Sequence, residues 1–136
     1  VVDPVNRIPG GPELADVTAY LNEDIRRPLG PITIQALAFS ELEFDVDISN
    51  LSPNHAETRD AIRNAITDYF YGRRPKLFDD DANPRNTISA AQITRVAIDA
   101  GAEVATVDLK NAGGTSITSY ALEPYEVCAL RALTWV

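Results

Sequence analysis

Hydrophobic and polar side chains alternate most regularly between Leu42 and Ser49. In this stretch every apolar residue is followed by an acidic or hydroxyl-bearing one. Because successive side chains of a β-strand point to opposite faces of a sheet, the period of two predicts a strand with one buried and one solvated face. Such a strand is typical of an antiparallel sheet that is exposed on one side. The apolar positions are Leu42, Phe44, Val46 and Ile48.

Apolar residues recur at helical spacing on either side of this strand. Pro12 suits the first turn of a helix predicted to run to about Asp24, because the missing N–H of proline costs nothing there. A second helix is predicted to start after a cap at Ser52 or Asn54 and to end near Gly72. The stripes predicted to face the core are Leu14, Val17, Leu21 and Ile25 in the first helix, and Ile62, Ala65, Ile66, Tyr69 and Phe70 in the second.

A third helix has a well-specified start. Ser89 and Gln92 form the S-x-x-Q pattern of a capping box, and Ile88 with Ile93 can form a hydrophobic staple across it. Gly101 follows at the position where a left-handed C-terminal cap favours glycine. The predicted buried stripe consists of Ile93, Val96, Ala97 and Ala100.

Three further strands complete the predicted architecture. They cover Ile32–Ala38, Glu103–Leu109 and Tyr125–Trp135, and Asn111–Gly114 is predicted to be a turn. The polar, proline-containing segment Arg73–Asn86 is predicted to be a mobile loop. The order α-β-β-α-α-β-β predicts an α+β fold with helices packed on a mixed or antiparallel sheet.

The length of 136 residues is typical of one domain with one core. Residues 1–11 are rich in proline and glycine and are predicted to be a linker or loop, followed by a single α+β domain over residues 12–136. The chain contains no methionine, begins at Val1 and ends on Trp135-Val136 without a polar tail. We therefore expect it to be the C-terminal fragment of a longer protein.

Charge and cysteine content limit the classes of partner. With 20 acidic and 12 basic residues the net charge is −8, which repels nucleic-acid backbones and anionic membranes. The sequence also lacks an apolar stretch of membrane-spanning length. A single cysteine, Cys128, forms no internal disulfide, so a reducing compartment is expected.

The side chains that usually carry catalysis have structural interpretations, so we expect no enzyme activity and no cofactor. His55 is interpreted as a solvent-exposed histidine at the start of a helix, and Cys128 as a buried small hydrophobe in a strand. An enzyme would have to use carboxylates such as Asp45 and Asp47, which are expected on the solvated face of their strand.

An acidic run in the predicted loop partly matches a calcium-binding loop. Asp79, Asp81 and Asn83 stand at the first three ligand positions. The sixth position, which needs glycine, is Pro84, and the twelfth, which needs glutamate, is Ala90. A solvated acidic loop is therefore predicted, and no metal site.

The order and spacing of six segments resemble the C-terminal region of baseplate J-like proteins, which help build the wedges of contractile phage tails and related injection machines. The resemblance covers about residues 14 to 136. The loop Arg73–Asn86 departs from it, being longer and more acidic than the connector usual in the family. The six segments are Val17–Asn22, Arg27–Gly30, the alternating strand from Leu42, Thr58–Ile66, Thr87–Ile93 and Gly101–Val104.

The resemblance implies a structural component of a tail baseplate, assembled in the bacterial cytoplasm and located in the virion. Its expected partners are other wedge subunits and copies of itself, and the family has no catalytic residues to transfer. Tyr71 departs from the helical stripe and Phe78 lies in the predicted loop, which makes these two aromatics the candidate interface residues. The alternative is a small-molecule or peptide-binding domain of a cytoplasmic protein that uses an exposed sheet edge.

Overall fold

The computed structural model describes residues 9–23, 38–75 and 85–136. The chain divides into two compact units, residues 1–40 and residues 41–136. Several predictions fall outside the described residues: the start of the linker, Ile25 of the first helical stripe, nearly all of the strand Ile32–Ala38, and the centre of the loop from residue 76 to residue 84.

The first unit contains helix α1, Gly11–Leu21. Pro12 lies in the first turn, as predicted, and the backbone N–H of Gly10 donates to the Glu13 side chain at 2.6 Å. That bond satisfies one of the N–H groups that every helix start leaves without an intrahelical acceptor. Leu14 and Leu21 are partly buried, whereas Val17 is 48% exposed.

The second unit is built on a four-stranded mixed sheet in the order β4-β3-β1-β6. Its strands are β1 (Ser40–Ser52), β3 (Val104–Asn111), β4 (Ser116–Ile117) and β6 (Glu126–Trp135). The strands β2 (Thr87–Ser89) and β5 (Ser119–Ala121) pair separately as a small antiparallel sheet. Helix α2 covers Ala56–Tyr71 and helix α3 covers Ala90–Asp99.

Strand β1 confirms the alternating pattern and extends beyond the predicted Leu42–Ser49. Phe44, Val46 and Ile48 are at most 2% exposed, whereas the residues between them face the other side of the sheet. β1 pairs with β3 in antiparallel register, with Asp45 opposite Lys110 and Asp47 opposite Asp108. The turn that follows β3 also lies where it was predicted, since the Gly114 N–H donates to the Asn111 carbonyl at 2.9 Å.

Strand β6 runs parallel to β1, which makes the sheet mixed. Arg131 is bonded to Asp45, and three positions further along β1 the Val136 N–H donates to the Ile48 carbonyl at 2.8 Å. The two strands therefore run in the same direction. A parallel neighbour needs a long crossover connection, and here the helices and the other strands lie between β1 and β6 in the sequence.

Both helices of this unit cover one face of the sheet and share its hydrophobic core. The predicted stripe of α2 is confirmed by its buried residues, and that of α3 by Ile93 and Ala97. Gly101 has a φ of +121°, a conformation that side-chain-bearing residues rarely adopt, which confirms the glycine stop after α3. The core residues of α2 are Ile62, Ile66 and Phe70.

The α+β class is therefore confirmed, but two details differ from the prediction. Neither Ser52 nor Asn54 caps α2, because the N-cap residue is His55, whose side chain makes no capping hydrogen bond. The short strands β2, β4 and β5 were not predicted, because two or three residues are too few for an alternating pattern to be recognised.

Candidate functional sites

The solvated face of the sheet carries two ion-pair groups that join neighbouring strands. Asp45 accepts hydrogen bonds from both Nε (3.0 Å) and Nη2 (2.5 Å) of Arg131, and Glu43 lies 3.7 Å from the same guanidinium group. On the other side of β1, Lys110 donates to Asp47 at 2.5 Å and lies 3.6 Å from Asp108. Each cation is thus held between two carboxylates.

These ion pairs move the pKa values of Asp45, Lys110 and Arg131 further from neutral pH. The hydrogen bond from Arg131 holds the pKa of Asp45 below its ordinary range, and the same contact raises the pKa of Arg131. The hydrogen bond to Asp47 raises the pKa of Lys110. A general acid or base works best with a pKa near the operating pH, so this geometry favours a role of Asp45 in joining strands over a role in proton transfer.

The cap of α3 is reinforced by a tyrosine from α2. Ser89 Oγ accepts a hydrogen bond from the Gln92 N–H at 3.2 Å, which confirms the predicted cap. The Gln92 side chain does not accept a hydrogen bond from the Ser89 backbone N–H, as it would in a complete capping box. Its Oε1 accepts instead from the Tyr69 hydroxyl at 2.5 Å. That hydroxyl accepts in turn from the Ser89 N–H at 3.3 Å. Burial raises the pKa of Tyr69. Arg73 lies 4.4 Å from the centroid of the Tyr69 ring.

An open groove of about 400 Å³ lies at the end of the sheet where β1 begins and β3 ends. The rings of Phe44 and Tyr120, 5.8 Å apart, belong to its apolar lining, and Glu41 and Glu43 supply acidic groups. A hydrogen bond between Tyr120 and Glu126 at 2.9 Å raises the pKa of the tyrosine. The remaining lining residues are Leu42, Asn111, Ala112, Gly113 and Ile117.

A second pocket, of about 310 Å³, lies between the start of α2 and the end of β6. Arg59 Nε donates to the Asn54 side chain at 2.7 Å, and its guanidinium carbon lies 5.7 Å from the centroid of the Trp135 ring. The indole N–H of Trp135 is buried and has no hydrogen-bond partner among residues 9–23, 38–75 and 85–136, which typically costs about 1–3 kcal/mol. Ile48, Asn50, Leu51 and Val136 complete the lining.

Sequence reasoning missed both the groove and the pocket. Arg59 and Trp135 belong to elements far apart in the chain, and no local motif indicates that they meet. The two groups of groove residues, around Phe44 and around Tyr120, are equally distant in the sequence. One feature of the sequence could have drawn attention to the pocket, because Trp135 is the single tryptophan of the chain.

The structure places most of the residues singled out from the sequence. His55 is exposed at the start of α2, as predicted. Cys128 is buried, also as predicted, and its Sγ donates to the Phe70 carbonyl at 3.4 Å. Tyr71 is 52% exposed. Phe78 and the residues that partly match a calcium-binding loop, Asp79, Asp81 and Asn83, lie outside the described residues.

Within residues 9–23, 38–75 and 85–136, no group of three or more His, Cys, Asp or Glu side chains is arranged to hold a metal ion. In the same residues, no helix has the length and apolar character needed to cross a membrane.

No protein-family model matches the chain, and no curated protein matches it.

Proposed function

We propose that this chain is a structural component of a contractile tail baseplate, in a phage or phage-like particle, and that it acts through subunit assembly. The observation that carries the proposal is the position of the segments that resemble baseplate J-like proteins. Among the described residues they fall, in order, on α1, β1, α2, β2 with α3, and the start of β3. The segment Arg27–Gly30 lies outside the described residues.

The surface of α2 supports an assembly role. Tyr71 follows the buried Phe70 directly and presents about half of its surface to solvent. Exposed aromatic side chains are enriched among the residues that anchor protein–protein contacts, because they bury a large area with few rotatable bonds. Tyr125, which is 70% exposed, offers a second anchor on the turn before β6. The proposed partners are other wedge subunits and copies of the chain, in the baseplate of the particle.

Genetic deletion tests the proposal. Removing the gene from a bacterium that produces the particle should leave tail tubes without complete baseplates, as seen by negative-stain electron microscopy, and a plasmid copy should restore them. A copy carrying Tyr71→Ala should restore fewer complete particles than one carrying Ile98→Ala, which removes a comparably exposed apolar side chain on α3. Normal, infective or contractile particles in the deletion strain would contradict the proposal.

The groove beside β1 favours a second candidate function, a small-molecule or peptide-binding domain. Its volume of about 400 Å³ is within the range of ligand sites, and it combines an apolar lining with the carboxylates of Glu41 and Glu43. This chemistry suits a short peptide that carries an apolar side chain beside a lysine. The groove therefore supports binding of a basic, partly apolar ligand.

A peptide titration tests this second candidate. Adding acetyl-Leu-Lys-amide to the ¹⁵N-labelled chain should shift the amide signals of Phe44 and Tyr120 in a saturable way. Ala112→Trp, which fills the groove, should abolish the shifts, whereas Ala121→Trp, at an exposed position outside the lining, should leave them. Shifts that are absent, or equal in both variants, would exclude the groove as the binding site.

A further inference from the structure

The pocket between α2 and β6 contains hydrogen-bond donors and no acidic side chain. This composition is unusual for a chain with a net charge of −8, whose averaged field repels anions. The donors are the guanidinium of Arg59, the indole N–H of Trp135, and the amides of Asn50 and Asn54. The side chains of the pocket therefore offer an anion hydrogen-bond donors and no acidic group.

Arg59 differs from Arg63 and Arg131, which form ion pairs with carboxylates. Arg63, one turn further along α2, is paired with Asp60 at 2.9 Å, and Arg131 is paired with Asp45. Among the described residues, the Arg59 side chain contacts the Asn54 oxygen and the Trp135 ring, and no carboxylate lies within ion-pair distance. Its Nε is bonded to the protein, which fixes the guanidinium while its two terminal nitrogens keep their donors for a ligand.

Trp135 supplies an independent observation. Its indole N–H is buried and has no acceptor in the part of the chain that the structure describes, although buried donors are almost always paired. Trp135 lines the same pocket as Arg59.

We propose that this pocket binds a carboxylate group. The two oxygens of a carboxylate match the two parallel N–H groups of a guanidinium. The indole N–H of Trp135 is closed to solvent, so it donates to the same group only after the ring moves. Ile48, Leu51 and the Trp135 ring provide apolar surface for the carbon atoms attached to the carboxylate. The carboxylate belongs either to an acidic side chain of another protein chain or to a free small acid. This proposal does not depend on the baseplate function.

The single tryptophan makes the proposal directly measurable on the isolated chain. Sodium acetate is titrated into the ¹⁵N-labelled protein at constant ionic strength, with sodium chloride as the balancing salt. The one indole N–H signal should shift in a saturable way as acetate replaces chloride. An indole signal that does not move with acetate would overturn the proposal.

Two variants of Arg59 and one matched control localise the effect. Arg59→Gln should weaken acetate binding by about tenfold or more, because it removes the charge and the paired N–H groups. Arg59→Lys keeps the charge but not the paired donors, so its affinity for acetate should fall between that of the parent chain and that of Arg59→Gln. Arg63→Gln removes an equal charge from the same helix and should bind acetate like the parent chain.

Circular dichroism on each variant separates a loss of binding from a loss of fold. If Arg59→Gln and Arg59→Lys are folded and bind acetate as the parent does, the proposal is wrong. Sulfate in place of acetate provides a further arm, and a response to sulfate without a response to acetate would also overturn it.

A capped tripeptide, acetyl-Gly-Glu-Gly-amide, distinguishes the two sources of the carboxylate. Tighter binding of the tripeptide than of acetate assigns the pocket to an acidic side chain of a protein partner. Equal or weaker binding assigns it to a free small acid. Either result is consistent with a carboxylate site. If neither probe binds, the proposal is wrong.

Discussion

Phe70 and Tyr71 are neighbours in α2 but occupy opposite environments. Phe70 is 2% exposed, with its ring 6.2 Å from that of Phe44, whereas Tyr71 is 52% exposed. The difference follows from helical geometry, since consecutive residues are rotated by about 100° around the axis. The sequence pattern was sufficient to assign both side chains, because the apolar spacing that includes Phe70 excludes Tyr71.

Removing the buried ring should be costly. Phe70→Ala should lower the free energy of unfolding by about 3–5 kcal/mol, because it loses the transfer energy of the ring and leaves a cavity between α2 and the sheet. Urea denaturation measures the change. Tyr71→Ala is the matched control and should change the same quantity by less than about 0.5 kcal/mol. Equal losses in the two variants would contradict the burial described for α2.

The ion pair between Asp45 and Arg131 should make stability depend on pH. Because the pKa of Asp45 is lowered in the folded chain, the pair stabilises the fold above the pKa of unfolded aspartate, and the effect is lost as pH falls through the folded pKa. Arg131→Gln should therefore lower the melting temperature at pH 7, and the difference from the parent chain should shrink below about pH 4.

Thermal unfolding followed by circular dichroism at pH 7, 5 and 3 measures this dependence. Arg95→Gln is the control, because Arg95 and its partner Asp99 are exposed on α3 and such pairs contribute little. Its melting temperature should stay close to that of the parent chain at each pH. A difference for Arg131→Gln that is as large at pH 3 as at pH 7 would show that the carboxylate of Asp45 is not the cause.

Among the helices and strands, the elements with strong periodicity were predictable and the short ones were not. β1 and α3 were recognised because several consecutive residues obey one period, and the Ser89 cap adds a local signal. The start of α2 was misassigned because Asn54, a residue typical of caps, uses its oxygen to accept from Arg59 instead. Which donor the Asn54 oxygen accepts from depends on where Arg59 lies in the folded chain, and the local sequence pattern does not indicate that position.

The two helix starts should respond differently to substitution. Ser89→Ala should lower the free energy of unfolding by about 0.5–2 kcal/mol, because Ser89 Oγ accepts from the Gln92 N–H. His55→Ala should change it by less than about 0.5 kcal/mol, since the His55 side chain makes no capping hydrogen bond. Both are measured by urea denaturation. A larger loss at His55 than at Ser89 would reverse the assignment of the caps.

For the second unit as a whole, the class of fold followed from the order of elements, but the sheet topology did not. The parallel placement of β6 beside β1 depends on how the intervening helices cross the sheet, which no single segment encodes. The same holds for the pocket of Arg59 and Trp135, which exists because the end of β6 lies beside the start of α2. Sites formed by such distant segments are seen only once the topology is known.

The location of the chain in a particle tests the proposed function most directly. Contractile particles are purified from a bacterial strain that carries the gene for the chain and are labelled with gold-conjugated antibodies raised against residues 41–136. The baseplate proposal predicts gold at the distal end of the tail in electron micrographs, and loss of that label in the deletion strain. Purified particles without label, with the chain recovered only from the particle-free fraction of the cell, would contradict it.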